Sequence, residues 1–508
     1  MSSGDCSETQ ERAIPSEEGA LSDDRTTIAL RRWTVFEDLD AVLARCLDDL
    51  GGIGRYVRPG QTVVIKPNIT ADMPACTGGT THVEIAEALV GQLRLAGAGR
   101  IIVAEGTGRF GTSHETAFLH NGWREMAART GIELYNLDAG PHRTVDLPDR
   151  RYTGELPISE LVLDADVLIS IPCLKTHVST DYTVALKNSF ALTPQATRSE
   201  IHRASMIEEA LVDINRIRPP DLVVVDGWDG AEGIAGGTNF DRPARARLML
   251  VGGDAVAVDL IARELMRFDA PTRYLTWAAE SGIGIGDRSR IDVLGDDVSA
   301  CSRRFMTAGD ELCLMVPGLT LCDRKACSGC RTTATSVVRR FSLQKLNRPL
   351  EVIYGGEGAV PTVNGKALVV GDCARDCAHL GAHVAGCPPT MAALAAALEE
   401  MDIVCLECRD VARRVMDDLP VSLGAHLRVA AAGAEVFAGT QVVPDEWHRT
   451  LIVGDCSDRY VGVVCERATQ FGLDPERDVI WVQGCPATEE AVRDALLRWQ
   501  AEGAPGAL

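Results

Sequence analysis

The stretch Thr62-Val63-Val64-Ile65-Lys66-Pro67-Asn68 decides the fold: a short apolar run gives way at once to a cation, a proline and an amide. A run of this length with a polar stop reads as a buried strand whose carboxyl end is functional or solvated. The same pattern recurs along the chain. Arg100–Ala104 runs into Glu105-Gly106-Thr107-Gly108, Val167–Ile171 into Cys173-Leu174-Lys175-Thr176-His177, and Leu222–Val225 into Asp226-Gly227. Further strands are expected at Thr27–Leu30 and Arg247–Val251, with a short closing strand at Arg290–Leu294. Amphipathic stretches at Asp38–Leu50, Val83–Leu95, Glu115–Thr130, Met206–Asn215 and Ala255–Met266 read as the intervening helices. Strands separated by helices specify an α/β domain with a mostly parallel sheet, here over residues 27–310.

In such sheets ligands bind beyond the carboxyl ends of the strands, so the residues that follow each apolar run are the candidates for chemistry. Lys66, Asn68, Lys175 and His177 stand there, and Lys187-Asn188 follows close behind His177. Three lysines in an otherwise acidic chain suit an anion pocket. The lysines would supply charge, the asparagines orienting hydrogen bonds, and His177 a proton near neutral pH. Taken singly, a lysine at a strand end is most often just solvated; the convergence is what makes the group a site. Two other glycine-rich stretches are set aside. Gly282-Ile283-Gly284-Ile285-Gly286 follows a helical stretch, whereas a dinucleotide loop follows a strand, and Glu105-Gly106-Thr107-Gly108 lacks the third glycine.

The region resembles the family catalogued as domain of unknown function 362. The residues that carry the likeness are Lys66-Pro67-Asn68, Lys175-Thr176-His177, Lys187-Asn188, Asp226-Gly227 with Glu232-Gly233, and Gly253-Asp254-Ala255-Val256-Ala257-Val258-Asp259. The resemblance implies the α/β architecture and an association with iron–sulfur modules.

The last third of the chain writes one cysteine pattern twice. Cys327-Ser-Gly-Cys330, Val370-Gly-Asp-Cys373 and Gly386-Cys387-Pro-Pro are answered by Cys405-Leu-Glu-Cys408, Val453-Gly-Asp-Cys456 and Gly484-Cys485-Pro-Ala. Each copy begins a helix at its Cys-x-x-Cys pair, places one lone cysteine after a buried strand, and opens a second helix after Gly-Cys-Pro. Repetition of this length is far less expected by chance than any one Cys-x-x-Cys. Four thiolates suit a tetrahedral zinc or an iron–sulfur cubane. Zinc sites of this composition usually pair two Cys-x-x-Cys knuckles, and here only one pair occurs per copy. The layout resembles the proximal-cluster site of nickel-iron hydrogenase small subunits and the related subunit of respiratory NADH dehydrogenase. That likeness implies two 4Fe–4S clusters, held by Cys327, Cys330, Cys373 and Cys387 in a module at 326–401 and by Cys405, Cys408, Cys456 and Cys485 in a module at 402–503. The expected architecture is therefore α/β throughout: a mostly parallel N-terminal domain and two smaller repeated α/β iron–sulfur modules.

Composition bounds the rest. A net charge of −21 argues against nucleic acid or an anionic membrane as partner. Thirteen of the 17 cysteines fall between Cys301 and Cys485, which is unlike a secreted disulfide scaffold. Residues 1–26 are polar and acidic and read as a disordered tail. The combination points to a cytoplasmic iron–sulfur oxidoreductase acting on a small anionic substrate, supplied by an external donor such as a ferredoxin or flavodoxin. A non-catalytic electron carrier and a zinc-stapled binding protein are the alternatives.

Overall fold

The computed structural model describes residues 25–34, 37–70, 74–106, 121–234, 242–269, 271–339, 348–365, 367–401, 427–431, 434–437, 449–453, 479–483 and 488–501, with residues 118, 346, 403, 474 and 476. Residues 1–24 of the acidic tail lie outside them, as do Cys405, Cys408, Cys456 and Cys485.

In chain order the strands of the first domain are β1 (Thr26–Arg32), β2 (Thr62–Pro67), β3 (Arg100–Glu105), β4 (Glu133–Asn136), β5 (His142–Thr144), β6 (Pro157–Ser159), β7 (Val167–Ile171), β8 (Cys173–His177), β9 (Asp181–Thr183), β10 (Leu222–Ala231), β11 (Leu248–Gly252) and β12 (Ile291–Gly295). All but β5 and β6 join one ten-stranded sheet in the order β12-β1-β11-β10-β7-β2-β3-β4, and β8 leaves this path to pair with β10 and β9. The pairs β10–β7, β7–β2, β2–β3 and β3–β4 are parallel. Only β11, antiparallel to both β1 and β10, and the β8–β9 hairpin break the pattern.

Alternation along the strands divides the apolar residues between two cores. Val64, Ile102, Leu168, Val223 and Leu250 pack on one face under helices Ile207–Ile217, Ala255–Leu265 and Arg273–Glu280. Val63, Ile65, Val103, Ile169, Val224 and Val251 pack on the other under helices Leu39–Asp49, Val83–Leu95 and Trp123–Thr130. A strand covered on both faces must be apolar on both, which is why these runs read as continuous rather than alternating. Asp254 of the Gly-Asp motif caps the helix Ala255–Leu265 by accepting from Ala257 N at 2.9 Å, and it also accepts from Ile285 N at 2.8 Å. The glycines at 282, 284 and 286 follow the helix Arg273–Glu280.

Beyond the first domain, β13 (Leu319–Arg324), β14 (Leu350–Gly355), β15 (Ala367–Val370) and β16 (Gly381–Val384) form an all-parallel sheet in that order. The segment 300–325 thus contributes the helix Ala308–Met315 and the edge strand β13 to the second layer. Four later strands, β17 (Leu427–Ala431), β18 (Ala434–Phe437), β19 (Arg449–Val453) and β20 (Val479–Val482), form a sheet in the order β18-β17-β19-β20. The two sheets share a plan. In each, the strand before Gly-Asp-Cys (β15, β19) pairs in parallel with the strand before Gly-Cys-Pro (β16, β20). They differ at the edge, where β13 is parallel to β14 but β18 returns antiparallel to β17. Among the described residues no helix is long and apolar enough to cross a membrane.

Candidate functional site

Parallel neighbours β7, β2 and β3 end at the same level, so the residues that follow their apolar runs meet. Lys66, 2% exposed, sets its Nζ 2.8 Å from Glu105 Oε1 at the end of β3. It also donates to Pro67 O at 2.9 Å and to Asn188 Oδ1 at 3.3 Å. Glu105 is held in turn by Ile69 N and Gly106 N, each at 2.9 Å. Asn188 bridges the strands: its Nδ2 donates to Lys66 O and Ser170 Oγ, and its Oδ1 accepts from Asn68 Nδ2 at 3.3 Å. Lys175, 1% exposed, donates to Asn68 Oδ1 at 2.6 Å, Thr70 Oγ1 at 2.8 Å and Gly79 O at 2.9 Å.

Burial lowers the affinity of both buried lysines for their protons. At both, desolvation is the largest effect and the Glu105 charge opposes it in part; Lys66 is lowered, and Lys175 falls to about 8. Lys187 is half-buried on the short helix Ala185–Asn188, and burial together with the Lys175 charge lowers it to about 7. Asp259, fully buried, accepts from Ala185 N at 2.7 Å and Leu186 N at 3.3 Å and so fixes that helix; burial pushes its carboxyl up to about 8.

The structure therefore gathers Lys66, Asn68, Lys175 and Asn188 in one hydrogen-bonded network, with Lys187 next in the chain to Asn188. His177 follows on the same strand as Lys175. It shares a strand face with Lys175 but lies two residues further along β8, roughly 7 Å away. Its Nδ1 accepts from Ser179 N at 3.1 Å, which leaves the proton of the neutral ring on Nε2.

Sequence reading missed Glu105 as a partner and missed His82 altogether. A strand-final carboxylate is as plain a signal as a strand-final lysine, but only the order β7-β2-β3 makes the two neighbours. His82 is clamped: its Nδ1 lies 2.9 Å from Asp226 Oδ2, its Nε2 3.1 Å from Asp229 Oδ2, and its ring stacks on Trp228. Burial opposes its charge, but the two carboxylates outweigh burial and raise it to about 10. A folded-state value above the unfolded one of 6.5 contributes stability below 6.5 that is lost as pH rises through about 10. His82→Gln should flatten that part of the pH–stability curve, read as the urea midpoint of wild type and variant across the interval.

The second candidate site is the first cysteine quartet. Cys327 caps the helix Ser328–Val338 and Cys330 lies in its first turn. Cys373 follows the Gly371 turn after β15, and Cys387 follows β16. All four thus stand beyond the carboxyl ends of the parallel strands. The Cys330 thiol donates to the Cys327 sulfur, which holds Cys327 below the usual thiol range and drives Cys330 above it. Cys387 is raised by burial and then by the thiolates of Cys327 and Cys373. Gly371, at φ +92°, permits the approach: a Cβ there would lie 2.7 Å from Cys330 Sγ. Among the described residues no three His, Cys, Asp or Glu side chains converge on a point that one metal ion could fill. The sulfurs of a cubane site surround a cluster rather than a single ion, and the four cysteines here have the donor type of such a site and stand at one sheet edge.

The quartet faces the first domain. Ser328 N donates to the buried Glu208 at 3.0 Å, and Arg273 lowers both Cys327 and Cys387 by its charge. Arg331, just past Cys330, lies 3.1 Å from Asp181 and 2.7 Å from Asp323. Asp181 is paired with His177 across the β8–β9 hairpin.

Residues 63–264 match the family model described as Domain of unknown function (DUF362). That stretch carries all six candidate residues of the lysine centre and ends before the cysteine repeat. A thylakoid-associated protein of Synechocystis sp. is 28% identical over 266 residues, covering 51% of this chain and 80% of that protein. Among solved structures, the lactate racemase apoprotein of Thermoanaerobacterium thermosaccharolyticum aligns with a TM-score of 0.28 at 10% identity, over 72% of this chain and 89% of that one.

Proposed function

We propose that the chain is an iron–sulfur oxidoreductase that delivers electrons to a small anionic substrate at the lysine centre. The observation that carries this reading is the juxtaposition of the two sites. The Cys327–Cys330–Cys373–Cys387 quartet docks, through Arg331 and Asp181, on the same hairpin that bears Lys175 and His177. The resemblance of the second copy assigns a second 4Fe–4S cluster to Cys405, Cys408, Cys456 and Cys485. Clusters bound in these cages supply electrons one at a time at a potential set by burial and hydrogen bonds to sulfur.

The residues of the chain do the rest. Lys66 is paired with Glu105, and Lys175 with the protonated share of Lys187 would supply the charge that meets an anion. Asn68 and Asn188 lock the lysine positions, and His177 holds a transferable proton on Nε2. A ferredoxin or flavodoxin would load the clusters, and a reducing cytoplasm would keep the thiols free.

One observation favours the alternative of a docking electron carrier: Lys66 and Lys175 spend their donors on protein acceptors. The two readings part in a reoxidation assay. The protein is reduced anaerobically with dithionite and mixed with small carboxylates and phosphate esters, and cluster absorbance is followed. An oxidoreductase is reoxidised by at least one of them, and His177→Asn slows that step by about 10²-fold or more, as loss of a general acid does, with iron content unchanged. Reoxidation only by a protein acceptor, indifferent to His177, would establish the carrier instead.

A further inference from the structure

The first cysteine quartet has an open side: Cys373 and Cys387 are exposed, whereas Cys330 is buried and Cys327 half-buried. Electrons from outside reach a cluster held here across that side. Two chains of contact lead from it to one surface feature. Along the first, a Cβ on Gly329 would lie 3.2 Å from both Pro388 Cγ and Ser205 Cβ, so the residue after Cys387 adjoins Ser205. Met206 follows Ser205 and accepts from Thr153 Oγ1 at 3.6 Å, and Arg151 stands two residues before Thr153. Along the second, Ser328 N donates to Glu208 of the helix Ile207–Ile217, against which the helix Arg273–Glu280 packs. Both end at Trp277. Its half-buried ring carries two guanidiniums, with Arg151 Cζ 4.8 Å and Arg273 Cζ 5.5 Å from the centroid.

Arg242, Arg303, Arg324 and Arg331 each meet a carboxylate. The side chains of Arg151 and Arg273 have no hydrogen-bond or ion-pair partner among the described residues. Carboxylates do stand nearby: Glu208 and Glu209 feel the Arg273 charge, and Glu209 and Asp213 that of Arg151. Two of the three are occupied, since Glu208 accepts from Ser328 N and Asp213 from the N–H groups of Arg151 and Tyr152. A ring face engages a guanidinium without using its N–H donors, so both forks stay available to carboxylates from outside.

We infer that Arg151, Trp277 and Arg273 form the docking surface for an acidic electron-donor protein beside the exposed side of the quartet. The inference rests on the iron–sulfur reading and names where the donor lands. Charge complementarity selects the partner. The chain carries −21 overall, so an acidic protein is repelled by most of its surface and is drawn to a local pair of arginines. Arginine and tryptophan are also the residues that most often carry the energy of a protein interface. One electron leaves the donor's reduced centre and the oxidised cluster gains it; no bond is made or broken.

Binding of an acidic plant-type ferredoxin to the full chain, measured by calorimetry at low ionic strength, tests the surface. Arg273→Glu is the first variant, because Arg273 is exposed and opens its helix, where a carboxylate suits the N-terminus. Kd should rise about tenfold or more, within the range that charge complementarity gives to association. Arg151→Gln should weaken binding in the same direction. Arg94→Glu makes the same charge change on the helix Val83–Leu95, under the opposite face of the sheet, and should move Kd less than about twofold. No binding by wild type, no change in Arg273→Glu, or equal weakening by Arg94→Glu overturns the proposal. A dimer of the chain that Arg273→Glu dissociates overturns it too, by making this face an interface between copies. Reduction of the iron-loaded protein separates the two ways of failing. If ferredoxin reduces wild type and Arg273→Glu equally fast, as small methyl viologen should, the surface falls and the redox reading stands. A chain with no cluster that either reductant can reduce removes the reading and the surface together.

Discussion

Lys66→Met should destabilise the first domain by about 3–5 kcal/mol, the usual cost of removing one partner from a buried ion pair. The reason is what remains. Glu105 is 3% exposed, and among the described residues its carboxylate keeps, without the ammonium, the backbone N–H groups of Ile69 and Gly106. Lys66 also closes the network through Asn188, so the loss spreads to Asn68 and from there to Lys175. The double variant Lys66→Met/Glu105→Gln should recover part of the loss, because a neutral amide no longer strands a charge. The two single costs should therefore sum to more than the double. Urea unfolding of the four proteins measures this. A single-variant cost below about 1 kcal/mol would place the pair among solvent-screened bridges and contradict the burial seen here.

Arg331→Leu should loosen the cysteine module from the first domain. Burial works against the Arg331 charge, but Asp181 and Asp323 outweigh it and hold the guanidinium above even its ordinary value. Removing it leaves two carboxylates facing each other. Both are about one-third exposed, so water relieves part of the cost, and we expect about 2–3 kcal/mol rather than the full figure for a buried pair. The variant should show a separate, earlier unfolding transition for the segment from β13 onward. Arg331→Lys keeps the charge but loses the two-sided fork, and it should fall between. A single unshifted transition in Arg331→Leu would mean that the modules are held by apolar contacts alone.

Much of this arrangement was legible because a parallel sheet turns order along the chain into position in space. Residues directly behind β2 and β7 had to meet at one edge, and Lys66, Asn68 and Lys175 do. The Asp-Cys and Gly-Cys-Pro turns behind β15 and β16 obey the same rule. What sequence could not supply was lateral order. Nothing in Arg247–Val251 marks β11 as the antiparallel strand slipped between β1 and β10, since both neighbours are equally apolar. The β8–β9 hairpin was hidden because Cys173-Leu-Lys-Thr-His mixes apolar and polar residues, and its pairing depends on Asp181 taking a positive φ of 59°. That hairpin sets His177 opposite Asp181, the carboxylate that Arg331 holds. His82 gave no pattern at all; its partners Asp226 and Asp229 lie far away in sequence and belong to a strand that a lone histidine cannot foretell.

The claim on which the rest depends is that each cysteine copy encloses its own 4Fe–4S cluster. Iron and acid-labile sulfide, counted per chain in anaerobically purified protein, test it most directly. The wild type should hold two clusters' worth of each. Cys330→Ala and Cys408→Ala should each lose about half, one cluster of the two whose thiolate ligation they break, while Cys313→Ala and Cys465→Ala, at cysteines outside the two repeated quartets, should lose little. Equal losses from all four substitutions, or zinc in place of iron and sulfide, would contradict it.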